Sequence, residues 1–457
     1  MPSATSAAPR GGRLGAALRS GPLAVRDFRL LSLGQLTSTA GDFCYAVALP
    51  WLVLSGHGGT VLLGTVLACY GVPRTVLIPV GGVLADKLSP RAVMLAADAV
   101  RCVLVAILAV LAARSLVSIG YLGPVAALIG AGEGLFLPAS AAIMPSLLPA
   151  EQLQAGNGLS AAMIQAGSLI GPVLGGILVS TAGSTSAFAV DAASFAVSAA
   201  SLALMRRKQA PAKNAPASAQ PEPAATPVAE HPLSPAASTA SAGAPAGEQT
   251  SVWRFFLGAR VLQAIMIISV LANFVIAGAF EVALPALAHA RFGPAGYGAL
   301  IACFGFGSLG GTLTAAKLSG LRRPAMGACG GFVIGGIAVA FVPYLGGLPG
   351  AAAAALVFGA AGYFGNVVVV TLLQQWAPAY LLGRVMSLVM LASIGAFPAA
   401  VALSGVIVRH IGPAPFFPAA GATLVLAVLL AATIREFRDF GATTGPATDQ
   451  AAVVAAK

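Results

Sequence analysis

The chain has 457 residues, of which 58% are hydrophobic and 9% charged, with a net charge of +11 and a mean hydropathy of +0.90. Soluble domains carry about 25% charged residues, so a water-soluble core is excluded as the organising principle. The positive balance would suit nucleic acid if it were clustered, but the Lys and Arg residues punctuate apolar runs and mark membrane orientation instead.

About a dozen apolar runs of about 20 residues follow one another from Leu30 to Ile434, and a ~30 Å hydrocarbon layer is the solvent that demands them. They are too long for barrel strands, which need about 10 residues, so helices are expected, each satisfying its own backbone. The spans fall near residues 30–55, 61–85, 92–113, 118–143, 157–181 and 186–205 in the first half. In the second half they fall near 261–286, 296–317, 325–345, 350–375, 384–408 and 414–434.

Residues 1–29 carry Arg10, Arg13, Arg19, Arg26 and Arg29 without an apolar core and read as a cytoplasmic tail rather than a cleaved signal. Residues 206–252 are rich in Ala, Pro and Ser and read as a disordered cytoplasmic linker between six-helix bundles at 30–205 and 253–434, with a tail at 435–457. With the amino terminus inside, inner loops collect Lys87, Arg91, Arg206, Arg207, Lys208, Lys213, Lys317, Arg322, Arg323 and Arg384. The outer loops collect only Arg114, Arg291 and Arg409. Both termini are therefore expected in the cytoplasm of a multi-pass protein of the inner membrane.

The halves repeat each other. Val47-Ala48-Leu49-Pro50 returns as Val282-Ala283-Leu284-Pro285, Ala85 to Ser89 returns as Ala315 to Ser319, and Pro149-Ala150 with Leu153 returns as Pro378-Ala379 with Leu382, at nearly equal offsets. Parallel six-helix repeats of this kind build alternating access around a midplane site.

Gly82-Val83-Leu84-Ala85-Asp86-Lys87 through Arg91 resembles the loop between helices 2 and 3 of the major facilitator superfamily, with Ser89 in place of its glycine and Pro90 in place of a basic residue. The resemblance implies an all-α integral membrane fold of twelve transmembrane helices in two parallel bundles. It also implies that Asp86, Lys87 and Arg91 latch the halves on the inner side. For Lys87 and Arg91 the plain alternative is that inner loops are basic.

Gly167, Gly171, Pro172, Gly175 and Gly176 fit GxxxGPxxGG in the fifth span, a pattern that within the superfamily resembles that of exporters. Small-residue packing would produce the same spacing. LGQLTSTAGDFCYAVALPWLVL, GALIACFGFGSLGGTL and Leu382-Gly383-Arg384-Val385-Met386-Ser387 resemble the enterobactin-exporter-like and macrolide-efflux-like branch. That branch implies proton antiport of a siderophore, antibiotic or other secondary metabolite.

Charges inside spans are costly and mark candidate sites: Asp42, Arg74, Asp98, Arg101, Glu133, Asp191 and Glu281. At 1.5 Å per residue, Arg74, Asp98, Arg101 and Glu133 share a level about 8 to 13 Å from the inner face. They read either as a salt-bridge network at the inner gate or as transport residues. In the superfamily helices 1, 4, 7 and 10 line the cavity, which points to Asp42, Glu133 and Glu281 for the proton and to Asn273 and Asn366 for substrate. Glu133 reads as an uncompensated acid, unless Arg74 pairs with it. Asp191 reads as a capping or packing residue.

No cofactor or metal is expected. Cys44, Cys69, Cys102, Cys303 and Cys329 stand singly, and His57, His231, His289 and His410 lack ligand spacing. Gly305-Phe306-Gly307-Ser308-Leu309-Gly310 spells GxGxxG, but mid-span and without a βαβ unit it reads as helix packing. No GxxxxGK[ST] loop offers ATP binding, and no nucleophile and base combine into an enzyme. The reading is a monomeric secondary exporter of a small organic molecule, coupled to protons and embedded in the lipid bilayer. An importer or lysophospholipid flippase of the same fold, or a membrane-embedded sensor or scaffold, are the alternatives.

Overall fold

A computed structural model describes residues 21–206, 260–318, 323–377 and 379–438. The expectations for residues 1–20, for the linker from 207 onward with Arg207, Lys208, Lys213 and His231, for Arg322 and Pro378, and for 439–457 lie outside the described residues, as does the side chain of Arg384.

Every regular element among the described residues is helical. The first half comprises α1 (Arg26–Ser55), α2 (Gly59–Lys87), α3 (Pro90–Ala113), α4 (Ile119–Ala142), and α5 (150–182) followed by α6 (184–204). The second half comprises α7 (260–291), α8 (Gly293–Lys317), α9 (Pro324–Phe341), α10 (Gly347–Trp376), α11 (379–411) and α12 (Pro413–Thr433). Ten helices are long and apolar enough to cross a membrane; one of them, Ala150–Leu204, turns at Gly183 and crosses twice, and Arg26–Ser55 adds a crossing diluted by polar residues. Twelve crossings result, each coinciding with an expected span over most of its length, though α9 ends at Phe341, four residues short of the expected 345.

Helix starts follow local chemistry. Pro90, Pro294, Pro324 and Pro413 open α3, α8, α9 and α12, where a missing N–H costs nothing. The turn from α5 to α6 rests on Gly183 (φ 77, ψ 174) and the turn from α11 to α12 on Gly412 (φ 84, ψ 163), a conformation that a Cβ would obstruct. These two glycines occupy the same place in the two halves and extend the sequence repeat. The packing repeats as well: α2 lies on α4 as α8 lies on α10, and α3 on α4 as α9 on α10.

The repeat is broken in α7. Ala277–Ala283 forms a π turn just before Pro285, whose ring would clash with the carbonyl of Glu281 in a regular helix. Pro50, its repeat partner, sits inside α1 without such a turn.

The starts of α1 and α7 and the ends of α6 and α12 lie at one end of the molecule, the terminal end; the opposite end is the distal end. The halves meet through α5 on α8 and α2 on α11. Near the distal end a Cβ on Gly176 would stand 2.9 Å from the Pro294 carbonyl and 3.3 Å from the Gly298 Cα, and one on Gly64 would stand 2.5 Å from the Val401 carbonyl. Thr60 Oγ1 donates to the Gly405 carbonyl at 2.9 Å, and Ser55 Oγ lies 3.4 Å from His289 Nε2. Deeper in, Gly71 faces Phe397 and Gly305 faces Leu169, about 18 Å from the distal face at 1.5 Å per residue.

Ser89, at the position where the superfamily loop has glycine, has φ 150 and ψ 146 and caps α3 by accepting from Ala92 N at 3.3 Å. That region of backbone space costs a side chain about 1–3 kcal/mol, while exchanging a serine cap for glycine costs a few tenths. Ser89→Gly is therefore expected to stabilise the detergent-solubilised protein by about 1 kcal/mol, read as a higher thermal midpoint.

Candidate functional site

Two groups of intramembrane charges occupy the first half, and the geometry of each is set by glycine. In the first, Gly41 on α1 lets α6 approach until a Cβ would lie 2.8 Å from Ser194 Cβ, and Gly132 on α4 leaves room for the stem of Arg101. Arg101, 4% exposed at its side chain, reaches Asp42 at 2.5 Å and Asp98, three residues back on α3, at 4.0 Å. Its guanidinium carbon stands 4.1 Å from the Phe195 ring centroid.

Ser198 Oγ donates to Asp98 Oδ2 at 2.6 Å, and Ser194 Oγ lies 3.3 Å from Asp191 Oδ1. Asp191, Ser194, Phe195 and Ser198 form one face of α6 by their spacing. Asp98 Oδ1, Arg101 Nε and Asp191 Oδ2 are buried without a hydrogen-bond partner among the described residues.

In the second group, the carbonyls of Tyr70 and Arg74 on α2 rest against Gly130 and Gly134 of α4. This contact sets Arg74 Nη2 3.2 Å from Glu133 Oε1, while the Tyr70 hydroxyl donates to Glu133 Oε2. Glu133 is thus a paired acid and not the uncompensated one expected from sequence. The four charges expected at one level also divide differently: Arg74 with Glu133, and Asp98 and Arg101 with Asp42. Depth along a helix axis fixes neither azimuth nor neighbour.

Glu281 lies half-buried in the π turn of α7, which packs on α2, the helix that carries Arg74. Asn273 and Asn366 stand apart from these acids, on the wall of a cavity inside the second half. The expected latch is redistributed too. Arg91 donates to the Leu202 and Ala203 carbonyls at 2.7 and 2.9 Å, tying α3 to the carboxyl end of α6 within its own half. Asp86 and Lys87 are exposed and make no ion pair among the described residues, and Gly82 has only Pro138 within 4.0 Å of a Cβ position.

Within the GxxxGPxxGG run, Gly167, Gly171 and Gly175 face α1, where Cys44 Sγ donates to the Gly171 carbonyl at 3.3 Å. Gly176 and the Pro172 carbonyl face α8 instead. The motif thus joins α5 to its own half on one side and to the other half on the other. In the GxGxxG run of α8, Gly307 packs on the Leu356 carbonyl of α10.

Tyr70, Phe195, Ser194 and Ser198 were not singled out from sequence. The signal for the α6 residues was present in their spacing from Asp191; Tyr70 stands one turn before Arg74. Removing one partner of a buried ionic group costs about 3–5 kcal/mol. Arg101→Leu is expected to lower stability by that amount, about 3–5 kcal/mol, and Asp42→Asn, whose side chain is 42% exposed, by less, as ranked by thermal unfolding in detergent.

Comparison with known proteins places this architecture. The family model described as Major Facilitator Superfamily matches residues 31–393. The enterobactin exporter EntS of Shigella boydii serotype 4 (strain Sb227) is 26% identical over 426 residues, covering 90% of this chain and 93% of that one. The multidrug efflux pump Tap of Mycolicibacterium fortuitum is 31% identical over 170 residues, 36% of this chain, and the match spans only 41% of the pump's length.

Among solved structures, a bacterial homologue of the iron transporter ferroportin in an inward-facing state superposes with a TM-score of 0.64 at 15% identity, over 89% of this chain and 96% of that one. A peptide transporter of the POT type in complex with sulfate gives 0.65 at 15% identity, over 91% and 96%. These two likenesses establish the fold alone. With twelve apolar crossings, two repeated bundles and a family match across most of its length, the chain belongs to the Major Facilitator Superfamily and is a multi-pass membrane transporter.

Proposed function

We propose that the protein exports a small organic molecule across the inner membrane in exchange for protons, with both termini in the cytoplasm. The observation that carries the coupling is an imbalance: Asp42, Asp98, Glu133, Asp191 and Glu281 lie within spans beside two arginines, Arg74 and Arg101. Carboxylates in excess in a low-dielectric interior are stabilised by taking up a cation, and the proton is the smallest.

Arg74 supports a way of linking that proton to movement. It is held by Glu133 of its own half, on a helix that packs against the π turn carrying Glu281 of the other. Protonation of Glu133 would release Arg74 toward Glu281 and so change the attraction between the halves. The glycine seams, gathered from the distal face to mid-depth, support a state closed on that side. Rocking about them would expose a central site to each face in turn.

Lys87, Arg91, Arg206, Lys317, Arg323, Arg435 and Arg438 lie at the terminal end, against Arg114, Arg291 and Arg409 at the distal end, which supports cytoplasmic termini. In this reading 30–205 and 253–434 are the moving halves and 206–252 is the cytoplasmic linker. The similarity to EntS and Tap supports export of a metabolite or drug-like molecule.

In inverted vesicles challenged with a panel of dyes and siderophores, Asp42→Asn and Glu133→Gln are expected to reduce proton-driven accumulation at least tenfold while the protein remains inserted. Full coupled activity in both variants overturns the assignment, and proton-driven uptake into right-side-out cells overturns the direction. Alkaline phosphatase fused at residue 230 is expected to be inactive, with a fluorescent-protein fusion there active; the reverse pattern inverts the topology.

A further inference from the structure

The second half holds a cavity of about 360 Å³ within its own bundle, with walls from all six helices. Among the described residues no Asp, Glu, Lys, Arg or His lines it. One wall is aromatic: Phe304 and Phe358 stack with ring centroids 5.7 Å apart, Phe358 also stacks on Phe280 at 5.4 Å while Phe304 lies tilted against it at 4.4 Å, and Tyr363 meets Phe304 edge-on at 6.1 Å. Two amides interrupt the apolar lining. Asn273 donates through Nδ2 to the Ser269 carbonyl of its own helix at 2.8 Å, which leaves its side-chain oxygen as an acceptor. Asn366 makes no hydrogen bond among the described residues and keeps both functions.

The repeat shows why this space is open. Gly130 of α4 rests on the Tyr70 carbonyl of α2, and Gly359 of α10 rests on the Phe304 carbonyl of α8, so the two contacts correspond. Three residues further along, the first half has Glu133 and the second has Gly362. The positions of Tyr70, Arg74 and Glu133, which hold an ionic group in the first half, correspond to Phe304, Ser308 and Gly362 in the second, of which Phe304 and Gly362 line the cavity. A Cβ on Gly362 would meet nothing within 4 Å.

We propose that this cavity binds the uncharged aromatic part of the exported molecule, its rings against Phe304 and Phe358 and its hydrogen-bonding groups on Asn273 and Asn366. The assignment rests on the transport reading above and specifies its substrate class: a neutral aromatic compound with few polar groups. A fixed charge would be desolvated there with no charged partner among the described lining residues. Cavities of this size, mostly apolar with a few convergent polar groups, are the usual form of small-molecule sites.

The test uses the full chain in lipid nanodiscs, with empty nanodiscs as background, and the neutral dye N-phenyl-1-naphthylamine followed by fluorescence. Saturable binding is expected, weakened at least tenfold by Gly362→Leu, which fills the space, and by Asn366→Leu, which removes the amide. Gly330→Leu, at an exposed α9 position where a Cβ also meets nothing within 4 Å, is expected to leave affinity unchanged. Ethidium, a permanent cation, is expected not to displace the dye.

Affinity equal to the parent in both cavity variants, or displacement by ethidium, overturns the site. If Gly362→Leu is not monodisperse, Asn366→Leu alone decides. Cavity binding without proton-driven transport overturns the export reading and leaves the site standing. Proton-driven export in a protein whose dye binding ignores both substitutions does the opposite.

Discussion

Backbone-to-backbone approach of helices at glycine is the constraint on which the rest of the molecule depends. In lipid there is no hydrophobic gain in bringing two apolar helices together, so cohesion comes from close van der Waals contact and from Cα–H groups against carbonyls. Gly130 and Gly134 set α4 on the carbonyls of α2, and only at that separation can Arg74 span to Glu133. Gly41 does the same for α1 and α6 around Asp42 and Asp191, and Gly64, Gly176, Gly298 and Gly405 do it between the halves.

The two halves share a frame and differ in what occupies it. The first half concentrates ionisable groups on α1 to α4 and α6, where Asp42, Asp98, Glu133 and Asp191 are each close to an arginine or a serine hydroxyl. The second half carries aromatic rings and amides around empty volume, with Glu281 as its single acid among the described spans. A duplicated scaffold allows this division because packing is conserved by the glycines, leaving the residues between them free to diverge. The π turn of α7 is one such divergence: the same Val-Ala-Leu-Pro run is accommodated regularly in α1, and only in α7 does it distort the helix beside α2.

Much of the fold was legible in the sequence because the bilayer imposes a one-dimensional pattern. Twelve spans and the repeat follow from runs of apolar residues and recurring short motifs, and Gly183 and Gly412 add a match visible only as backbone angles. The site was legible in part. Asp42, Glu133, Arg74, Asp98 and Arg101 announce themselves as charges where charge is costly. Their partners do not, because partner choice depends on the rotation of each helix about its axis, which is set by non-local contacts. The cavity was silent for another reason: it is bordered by a missing side chain at Gly362, one of 55 glycines in the chain.

The hairpin at Gly183 couples two surfaces that face different neighbours. Through it α5, which carries the Gly176 contact with the second half, is bonded by one residue to α6, which carries Phe195 and Ser198 beneath Arg101 and Asp98 and is clasped by Arg91 at its far end. A one-residue joint has no slack, so a displacement of α5 along the partner half is transmitted to the ionic core as a pull on α6. Lengthening that joint with a flexible insert would act as a clutch, letting the halves slide while the charges stay still.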